Sequence, residues 1–361
     1  MKLICFFYYK KWYNKKESRD NMKCVALKGV KEFEIKEIEE PKKEPGKVMM
    51  EITKSGICGS DIHNWEMGNP VGVVMGHEFC GKVIDPGDRS DLKVGDRVTA
   101  LPISPCGHCS ACLSGNAQFC LETWNDAVGL SVANPGGLTH KINVRSDMVI
   151  KVPTNITDEE VAMVEPVAVS LHAIHLADIK VGDKVLVIGG GIIGLTAAMF
   201  AKKEGASFVA ISEVNDARGK NAVKLGVADK YFKADQDIIK NLLTEVNEGF
   251  DVVIECCGNA GAVSTSLMAV KPGATVILVG VSPTPITIPT VVAVMREITL
   301  KGAIAYTKDE FKTCIELMSR KQIDALQFVS KTVGFDEVQK SYEELTSGSS
   351  ELIKILVDPN K

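Results

Sequence analysis

Residues 184–214, KVLVIGGGIIGLTAAMFAKKEGASFVAISEV, decide how the second half of this chain folds. The opening KVLVI is a continuous apolar run, which is typical of a parallel strand covered on both faces. A glycine-rich turn and a helical stretch follow, and a second apolar run ends at Glu213. Further apolar runs at 251–256 and 274–280 are separated by helical stretches. The pattern predicts an α/β domain with a doubly wound parallel sheet.

The glycine turn has the spacing that brings a helix N-terminus close to a pyrophosphate. Gly189, Gly191 and Gly194 form G-x-G-x-x-G, with Ile192 and Ile193 before the last glycine. Positions without a side chain let the backbone approach a dinucleotide closely. Because strand, turn and helix follow in the required order, the turn predicts a dinucleotide site of the Rossmann type.

The end of the second strand indicates which dinucleotide binds. Glu213 lies nineteen residues after Gly194. A carboxylate there accepts hydrogen bonds from the adenosine ribose and repels a 2′-phosphate. Arg218 is the one reservation, because a nearby arginine can accommodate that phosphate; we interpret it as a cation that flanks the adenine. The sequence therefore favours NAD over NADP.

The segment 106-CGHCSACLSGNAQFC-120 contains four of the eleven cysteines in the chain. The spacing of Cys106, Cys109, Cys112 and Cys120 lets their thiolates converge on one ion at about 2.3 Å. Four cysteine ligands complete a tetrahedral shell, so the predicted zinc site is structural. An iron–sulfur cluster is disfavoured, because the ferredoxin pattern has a shorter last gap and a proline after its last cysteine. Reduced or redox-sensing thiols are the alternative.

Three further motifs contain candidate ligands for a second metal ion: 56-GICGSDIH-63, 76-GHEFCGKV-83 and 165-EPVAVSLHA-173. Taken alone, each is compatible with an ordinary structural role. Together, Cys58, His77 and Glu165 supply a thiolate, an imidazole and a carboxylate, and they leave the fourth position of a zinc ion for water or substrate. Glu78, beside His77, is either a fourth ligand or a neighbour of the ligands.

With these motifs the chain resembles, over about residues 22–361, the zinc-dependent medium-chain alcohol dehydrogenases. It is most similar to the sorbitol (polyol) and 2,3-butanediol dehydrogenase branch. The resemblance rests on CGSDIH, GHE, the four-cysteine segment, EPVAV and the glycine turn. It implies two zinc ions per chain, with Cys58, His77 and Glu165 as ligands of the catalytic ion and Glu78 beside them. Classical members have cysteine at the position of Glu165, and glutamate is the polyol and diol variant.

The resemblance also implies roles for residues that follow Cys58. Ser60 matches the hydroxyl that hydrogen-bonds the substrate alcohol, and His63 matches the histidine that passes the proton to solvent. Asp61 matches the carboxylate that orients His77, as in the usual carboxylate–histidine–metal arrangement. Three other histidines are interpreted as structural: His140, His172 and His175.

The function implied by the resemblance is reversible oxidation of a secondary alcohol, in a polyol or vicinal diol, to its ketone, with hydride transfer to NAD. Threonine, sugar-alcohol-phosphate and formaldehyde-type dehydrogenases share much of the motif set and are alternatives. A remote alternative is a non-catalytic NAD-binding protein, which has no need for an open metal position. The family also implies a homodimer or homotetramer.

Four segments are expected along the chain. Residues 1–21 are expected to form a disordered extension, and the folded part is expected to begin near Met22. Residues 22–155 contain short β-rich runs and, by resemblance, form a GroES-like catalytic domain that binds zinc. Residues 156–300 form the NAD-binding domain, and residues 301–361 return to the catalytic domain.

Composition excludes several other classes of protein. The net charge is −4, with both signs dispersed, which argues against a nucleic-acid-binding surface. No apolar run approaches the roughly 20 residues that span a bilayer. The N-terminus has no cleavage site of a signal peptide. We therefore expect a cytoplasmic protein, where clustered cysteines are more often metal ligands than disulfides.

Overall fold

The computed structural model describes residues 21–361. Except for Asn21, the predicted extension 1–21 lies outside the described residues. Asn21 is the first residue of strand β1 (Asn21–Gly29), which pairs antiparallel with β2 (Glu32–Glu39). Exposed and half-buried residues alternate along β2, so one face of this hairpin is in contact with water.

A mixed seven-stranded sheet dominates the part of the chain before residue 155. Its strands from this part are β3 (Lys47–Gly56), β4 (Glu78–Asp85), β5 (Arg97–Ala100), β6 (Lys141–Arg145) and β7 (Val149–Lys151). Two short helices lie in this part, α1 (Gly59–Met67) and α2 (Ser110–Leu113), and α3 (Asp158–Ala162) follows it. α1 follows β3 directly, and β4 pairs antiparallel with β3, so residues at the end of β3 and the start of β4 lie side by side.

Helix α4 (Val164–Ala177) leads into the second half of the chain, where a parallel sheet forms. Its strands are β8 (Lys184–Ile188), β9 (Phe208–Glu213), β10 (Lys230–Lys233), β11 (Phe250–Glu255), β12 (Val270–Leu278) and β13 (Thr299–Gly302). They are arranged in the order β10-β9-β8-β11-β12-β13. This is the order of a classic dinucleotide-binding sheet, and the predicted doubly wound sheet is confirmed.

Five helices connect these strands: α5 (Ile192–Lys203), α6 (Asp216–Lys224), α7 (Ile238–Glu245), α8 (Ala260–Ala269) and α9 (Thr290–Met295). Alternate residues of β8 belong to different hydrophobic clusters. Val185 and Val187 pack in one, and Leu186 and Ile188 in another. Both faces of the sheet are therefore buried, which explains the continuous apolar run in the sequence.

The last part of the chain contains helices α10 (Lys308–Ser319) and α11 (Val338–Thr346) and strands β14 (Val329–Val333) and β15 (Lys354–Val357). Short 3₁₀ helices lie at Ala117–Phe119, Leu326–Phe328 and Phe335–Glu337. β15 pairs antiparallel with the end of β3, and β14 pairs parallel with β15. The C-terminal strands thus complete the first sheet and bring residue 354 close to the end of β3. Within residues 21–361, no helix is both long enough and apolar enough to cross a membrane.

Candidate active site

The first candidate ligand, Cys58, lies where β3 gives way to α1, as the N-cap residue of that helix. The Cys58 backbone N–H donates to Asp61 Oδ2 at 3.3 Å, and Ser60 Oγ donates to Cys58 Sγ at 3.3 Å. A side chain three residues into a helix is well placed to hold the N-cap residue. Asp61, fully buried, thus fixes the backbone at Cys58.

His77 lies immediately before β4 and is buried beside Asp61. His77 Nδ1 and Asp61 Oδ1 are 3.3 Å apart, and neither atom has a hydrogen-bond partner within residues 21–361. Burial lowers the pKa of His77, but the Asp61 carboxylate and the Cys58 thiol outweigh burial and hold that pKa well above its usual range. Asp61 therefore connects the Cys58 backbone with the His77 ring.

Glu78, the first residue of β4, is fully buried and forms an ion pair with Lys354, which is also fully buried. Apart from this ion pair, neither carboxylate oxygen of Glu78 has a hydrogen-bond partner in the described part of the chain. Lys354 Nζ also donates to the Ile57 carbonyl oxygen at 2.9 Å. Gly56 leaves room for the pair, because a Cβ there would lie 1.9 Å from Glu78 Oε2.

Cys58, His77 and Glu78 form one group whose potential ligand atoms lie within 4.8 Å of one another. Glu165, in the first turn of α4, is not part of that group. Tyr306 lies near enough to Glu165 to lower its pKa. Burial raises the pKa of Glu165 to about 7, although His77 opposes the rise. Glu165 is thus close enough to His77 and to Tyr306 for both residues to act on its pKa.

The donor set fits a zinc ion. A thiol, an imidazole and carboxylates are the groups that bind zinc in proteins. Buried carboxylates with unpaired oxygens are rare unless another charge compensates them, and Glu78 Oε1 has no partner in the described part of the chain, whereas Oε2 is paired with Lys354. A metal ion at the Cys58–His77–Glu78 group would give this one oxygen a partner, beside the Lys354 cation on Oε2.

The two residues predicted to move a proton lie on α1, next to this group. Ser60 is exposed and His63 is half-buried. Residues three apart on a helix are neighbours on its surface, so both side chains lie on one side of α1. No hydrogen bond to the His63 ring is present within residues 21–361.

The four-cysteine segment forms a compact lobe around α2. Cys106 Sγ lies 3.9 Å from Cys112 Sγ, and Cys109 Sγ lies 3.6 Å from Cys112 Sγ. Sulfurs at about 2.3 Å from one tetrahedral ion are about 3.8 Å apart, so these spacings fit zinc. Backbone N–H groups of Cys106 and Glu122 donate to Cys120 and hold the pKa of its thiol down to about 6. All four are free thiols.

The glycine turn between β8 and α5 is packed tightly on one side and has free space on the other. A Cβ on Gly194 would lie 1.9 Å from the Gly189 carbonyl oxygen, whereas a Cβ on Gly191 would meet nothing within 4 Å. Gly191 is the N-cap residue and Ile192 and Ile193 begin the helix, with no side chain bonded to the free N–H groups. Tight packing on one side and open space on the other fit a bound pyrophosphate.

Glu213 ends β9 beside this turn. Its Oε2 accepts from Gly190 N at 2.6 Å, and its Oε1 accepts from Asn215 N at 2.9 Å. It lines a cavity of about 270 Å³. Arg218 lies in the first turn of α6, and its buried Nε has no partner within the described residues. The cavity fits an adenosine, with a fixed carboxylate at its edge.

Comparison with known proteins agrees with both halves of this description. Residues 44–154 match the alcohol dehydrogenase GroES-like domain, and residues 193–320 match the zinc-binding dehydrogenase family. A probable D-xylulose reductase A of Aspergillus clavatus is 30% identical over 92% of this chain and 95% of that protein. The chain belongs to the zinc-dependent medium-chain alcohol dehydrogenase family.

Other members of the family are similarly close. The sorbitol dehydrogenase of Bombyx mori is 29% identical over 92% of this chain and 97% of its own. The crystal structure of the 2R,3R-butanediol dehydrogenase from Bacillus subtilis superimposes with a TM-score of 0.83 at 30% identity, covering 94% of this chain and 100% of that one. A zinc-binding dehydrogenase from Sinorhizobium meliloti, solved with NADP bound, has a TM-score of 0.84 at 28% identity, covering 94% and 100%.

Membership in this family makes the chain an oxidoreductase that acts on small molecules with zinc and NAD(H) as cofactors. The predicted family, GroES-like and Rossmann fold, enzyme class and cofactors are confirmed. Sequence reasoning missed two residues of this dehydrogenase, Lys354 and Tyr306. A lysine within the apolar run 352-LIKILV-357 was a signal that a buried anion is nearby. No feature of the sequence around Tyr306 indicated that this residue lies near the site.

Proposed function

We propose that this dehydrogenase interconverts a secondary alcohol, in a polyol or vicinal diol, and the corresponding ketone, with NAD as the hydride carrier. The observation that carries the proposal is the convergence of a thiol, an imidazole and a carboxylate within 4.8 Å of one another, at Cys58, His77 and Glu78. The polyol and diol dehydrogenases among its relatives support the substrate class.

The proposed ligands of the catalytic zinc are Cys58, His77 and Glu165. Glu78 already has a cationic partner in Lys354, so we assign it the role of balancing charge beside the ligands rather than that of a permanent ligand. When bound, zinc acts as a Lewis acid on the substrate oxygen and the nicotinamide accepts the hydride. Asp61 holds the His77 ring in a fixed orientation.

We propose that the proton of the substrate hydroxyl leaves the site along α1. The Ser60 hydroxyl, 3.3 Å from Cys58 Sγ, takes the proton of the substrate hydroxyl. His63, on the same side of the helix and half-buried, passes that proton to solvent. An imidazole suits this task because its unperturbed pKa lies near physiological pH.

NAD rather than NADP is the proposed dinucleotide. Gly189, Gly191 and Gly194 form its turn, with Ile192 and Ile193 at the start of α5. The Glu213 carboxylate is held by two backbone N–H groups at the edge of the adenosine cavity, where it repels a 2′-phosphate. Arg218 is assigned to the adenine side of the cavity.

A structural zinc is the proposed occupant of the four-cysteine lobe. Its ligands are Cys106, Cys109, Cys112 and Cys120, whose measured sulfur spacings match a tetrahedral ion. Four ligands leave no position for substrate, so this ion stabilises the lobe. Because such thiolates must stay reduced, we propose a cytoplasmic location.

The proposed domain division is 22–155 for the catalytic domain, 156–300 for the NAD-binding domain and 301–361 for the return to the catalytic domain. We also propose a homodimer or homotetramer. Its support is an exposed apolar group near the edge strand β13, made of Val281, Val291, Val294 and Met295, each at least 64% exposed. Exposed apolar patches of this kind mark protein–protein contacts.

The test is NADH formation from NAD⁺ across 2,3-butanediol stereoisomers, sorbitol, xylitol, galactitol 1-phosphate, threonine and simple secondary alcohols, repeated with NADP⁺. Turnover of a diol or polyol with NAD⁺ supports the proposal. Turnover of threonine or the sugar phosphate alone, or of any substrate only with NADP⁺, contradicts the substrate or cofactor assignment. Cys58→Ser should abolish turnover, and Cys24→Ala, a buried cysteine outside both clusters, is the matched control.

A further inference from the structure

Asn215 lies in the short connection between β9 and α6, directly beside the proposed ribose-binding carboxylate. Its backbone N–H donates to Glu213 Oε1 at 2.9 Å. Its side-chain Oδ1 accepts from the backbone N–H groups of Ala217 and Arg218, at 2.9 Å and 3.2 Å, and so caps α6. An asparagine at the N-cap satisfies donors that the first turn of a helix leaves free. One residue therefore both holds the carboxylate and starts the helix.

The other end of the Asn215 amide contacts a distant part of the chain. Nδ2 donates to the carbonyl oxygen of Ser350 at 3.1 Å and to that of Gly348 at 3.4 Å. Ser350 lies 135 positions further along the chain, between α11 and β15. Carbonyl oxygens only accept and backbone N–H groups only donate, so the partners fix which way the amide points. Both of its donors and both of its acceptor positions are used.

The segment that Asn215 contacts is itself held by hydrogen bonds. The Ser350 hydroxyl oxygen accepts from the Leu352 backbone N–H at 3.3 Å. The next N–H, that of Ile353, donates to Ser330 Oγ in β14 at 2.9 Å. β15 follows directly and pairs with β3. The Ser350 carbonyl is thus attached to the first sheet, whereas Asn215 follows a strand of the parallel sheet.

The connection between β9 and α6 also lies at the rim of the adenosine cavity, which Glu213 and Val214 both line. Val214 is 70% exposed, so apolar packing contributes little to the position of this connection. The hydrogen bonds of Asn215 therefore decide where its backbone N–H lies. Because that N–H orients the Glu213 carboxylate, a change at the Ser350 end of the amide reaches the carboxylate through two hydrogen bonds.

We propose that Asn215 is a positioning residue for the dinucleotide: it binds the Ser350 carbonyl and thereby holds Glu213 in the orientation that receives the adenosine ribose. This inference rests on the proposed function, in which Glu213 binds that ribose. The segment 347–353, between α11 and β15, then contributes to dinucleotide affinity, although the residues that line the adenosine cavity within 21–361 do not include it. One hydrogen bond of this kind changes a binding constant by about three- to tenfold.

The direct test is the Kd for NADH of the zinc-loaded protein, measured by fluorescence without substrate. Asn215→Ser and Asn215→Asp both keep an oxygen for the α6 cap but have no amide to donate to the Ser350 carbonyl. Both should raise the Kd at least about threefold. Ser350→Ala, which releases the segment from the Leu352 N–H, should act in the same direction. The control is Ser349→Ala, an exposed residue whose hydroxyl meets that of Ser347, and it should bind NADH like wild type. A rise with Asn215→Asp alone would trace the effect to the added charge and overturn the inference.

Two double-variant cycles separate positioning from a general loss of stability. If Asn215 acts through Glu213, adding Asn215→Ser to Glu213→Ala should not weaken NADH binding further, whereas independent effects would multiply. In the same way, adding Ser350→Ala to Asn215→Ser should leave the Kd unchanged. Multiplying effects in either cycle, or a wild-type Kd in both Asn215 variants, would overturn the inference alone. A wild type that binds no NADH would overturn the proposed dinucleotide site, and the inference with it.

Discussion

Lys354 and Glu78 form an ion pair in which both side chains are fully buried. Lys354 comes from the last strand of the chain, and Glu78 begins β4 next to the candidate ligand His77. Lys354 Nζ also donates to the carbonyl oxygen of Ile57, directly before Cys58, at 2.9 Å. One lysine from the last strand thus contacts the sequence neighbours of two proposed zinc ligands. Because β15 completes the first sheet, the pairing of this strand with β3 also positions the lysine at the site.

Lys354→Met is expected to destabilise the zinc-loaded protein by about 3–5 kcal/mol, because it leaves the buried Glu78 carboxylate without its cation. The free energy of unfolding in urea measures the change. Lys354→Met combined with Glu78→Gln should recover part of the loss, since no buried charge is then unpaired. A Lys354→Met protein as stable as wild type would show that another group compensates Glu78.

Cys106→Ala should remove the structural zinc and lower stability much more than the intrinsic rate. An ion present at 1,000 times its Kd contributes about 4 kcal/mol to folding, and a loss of this order is expected in the free energy of unfolding. Turnover per folded chain should stay close to that of wild type. A folded Cys106→Ala protein of unchanged stability would contradict the assignment of the lobe.

Glu213→Gln should weaken the discrimination between the two dinucleotides. The amide oxygen can accept from only one of Gly190 N and Asn215 N, and the neutral side chain no longer repels a 2′-phosphate. The ratio of kcat/KM for NAD⁺ to that for NADP⁺ is expected to fall about tenfold, which is about 1.4 kcal/mol. Glu204→Gln, on an exposed residue after α5, is the control. An unchanged ratio for Glu213→Gln would show that residues other than Glu213 determine the preference for NAD.

The cluster of Glu310 with two histidines should make stability depend on pH. Burial raises the pKa of Glu310, but hydrogen bonds from His172 and His175 outweigh burial, and this pKa lies well below its usual range. The hydrogen bond to Glu310 raises the pKa of His175 against partial burial, and Glu204 adds to the rise. The carboxylate contribution is present above its unfolded pKa of about 4.3 and is lost as the pH falls toward the folded value.

The histidine contribution has the opposite sign. It is fully present below the unfolded histidine pKa of about 6.5 and is lost as the pH rises through the higher folded value. The stability of wild type minus that of His175→Gln should therefore be largest near about pH 6 and should shrink toward about pH 9. Because His175 is half exposed, the largest difference should not exceed about 1 kcal/mol. A difference that grows with pH would contradict this.

Elements with a strong local signal could be predicted from the sequence. KVLVI matches β8 because a strand buried on both faces needs an unbroken apolar run. The four cysteines converge because two of the three gaps between them are only two residues long, in short turns around α2. Cys58, Asp61 and His77 are also brought together, since β3 and β4 pair where these residues lie.

Contacts between residues that are far apart in the sequence could not be predicted, because no local sequence pattern indicates them. Lys354 meets Glu78 only because β15 completes the first sheet beside β3. α10 packs along α4, and two residues interpreted from the sequence as merely structural, His172 and His175, contact Glu310 of α10 there.

The most direct test of the central claim is the zinc content per chain of wild type and of Cys58→Ala, measured together with NAD⁺ reduction on the best alcohol of the panel. The account predicts two zinc ions and turnover in wild type, and a single zinc ion with no turnover in the variant. A wild type with one zinc ion, or a Cys58→Ala protein that keeps two ions and its rate, would show that Cys58, His77 and Glu165 are not the catalytic site.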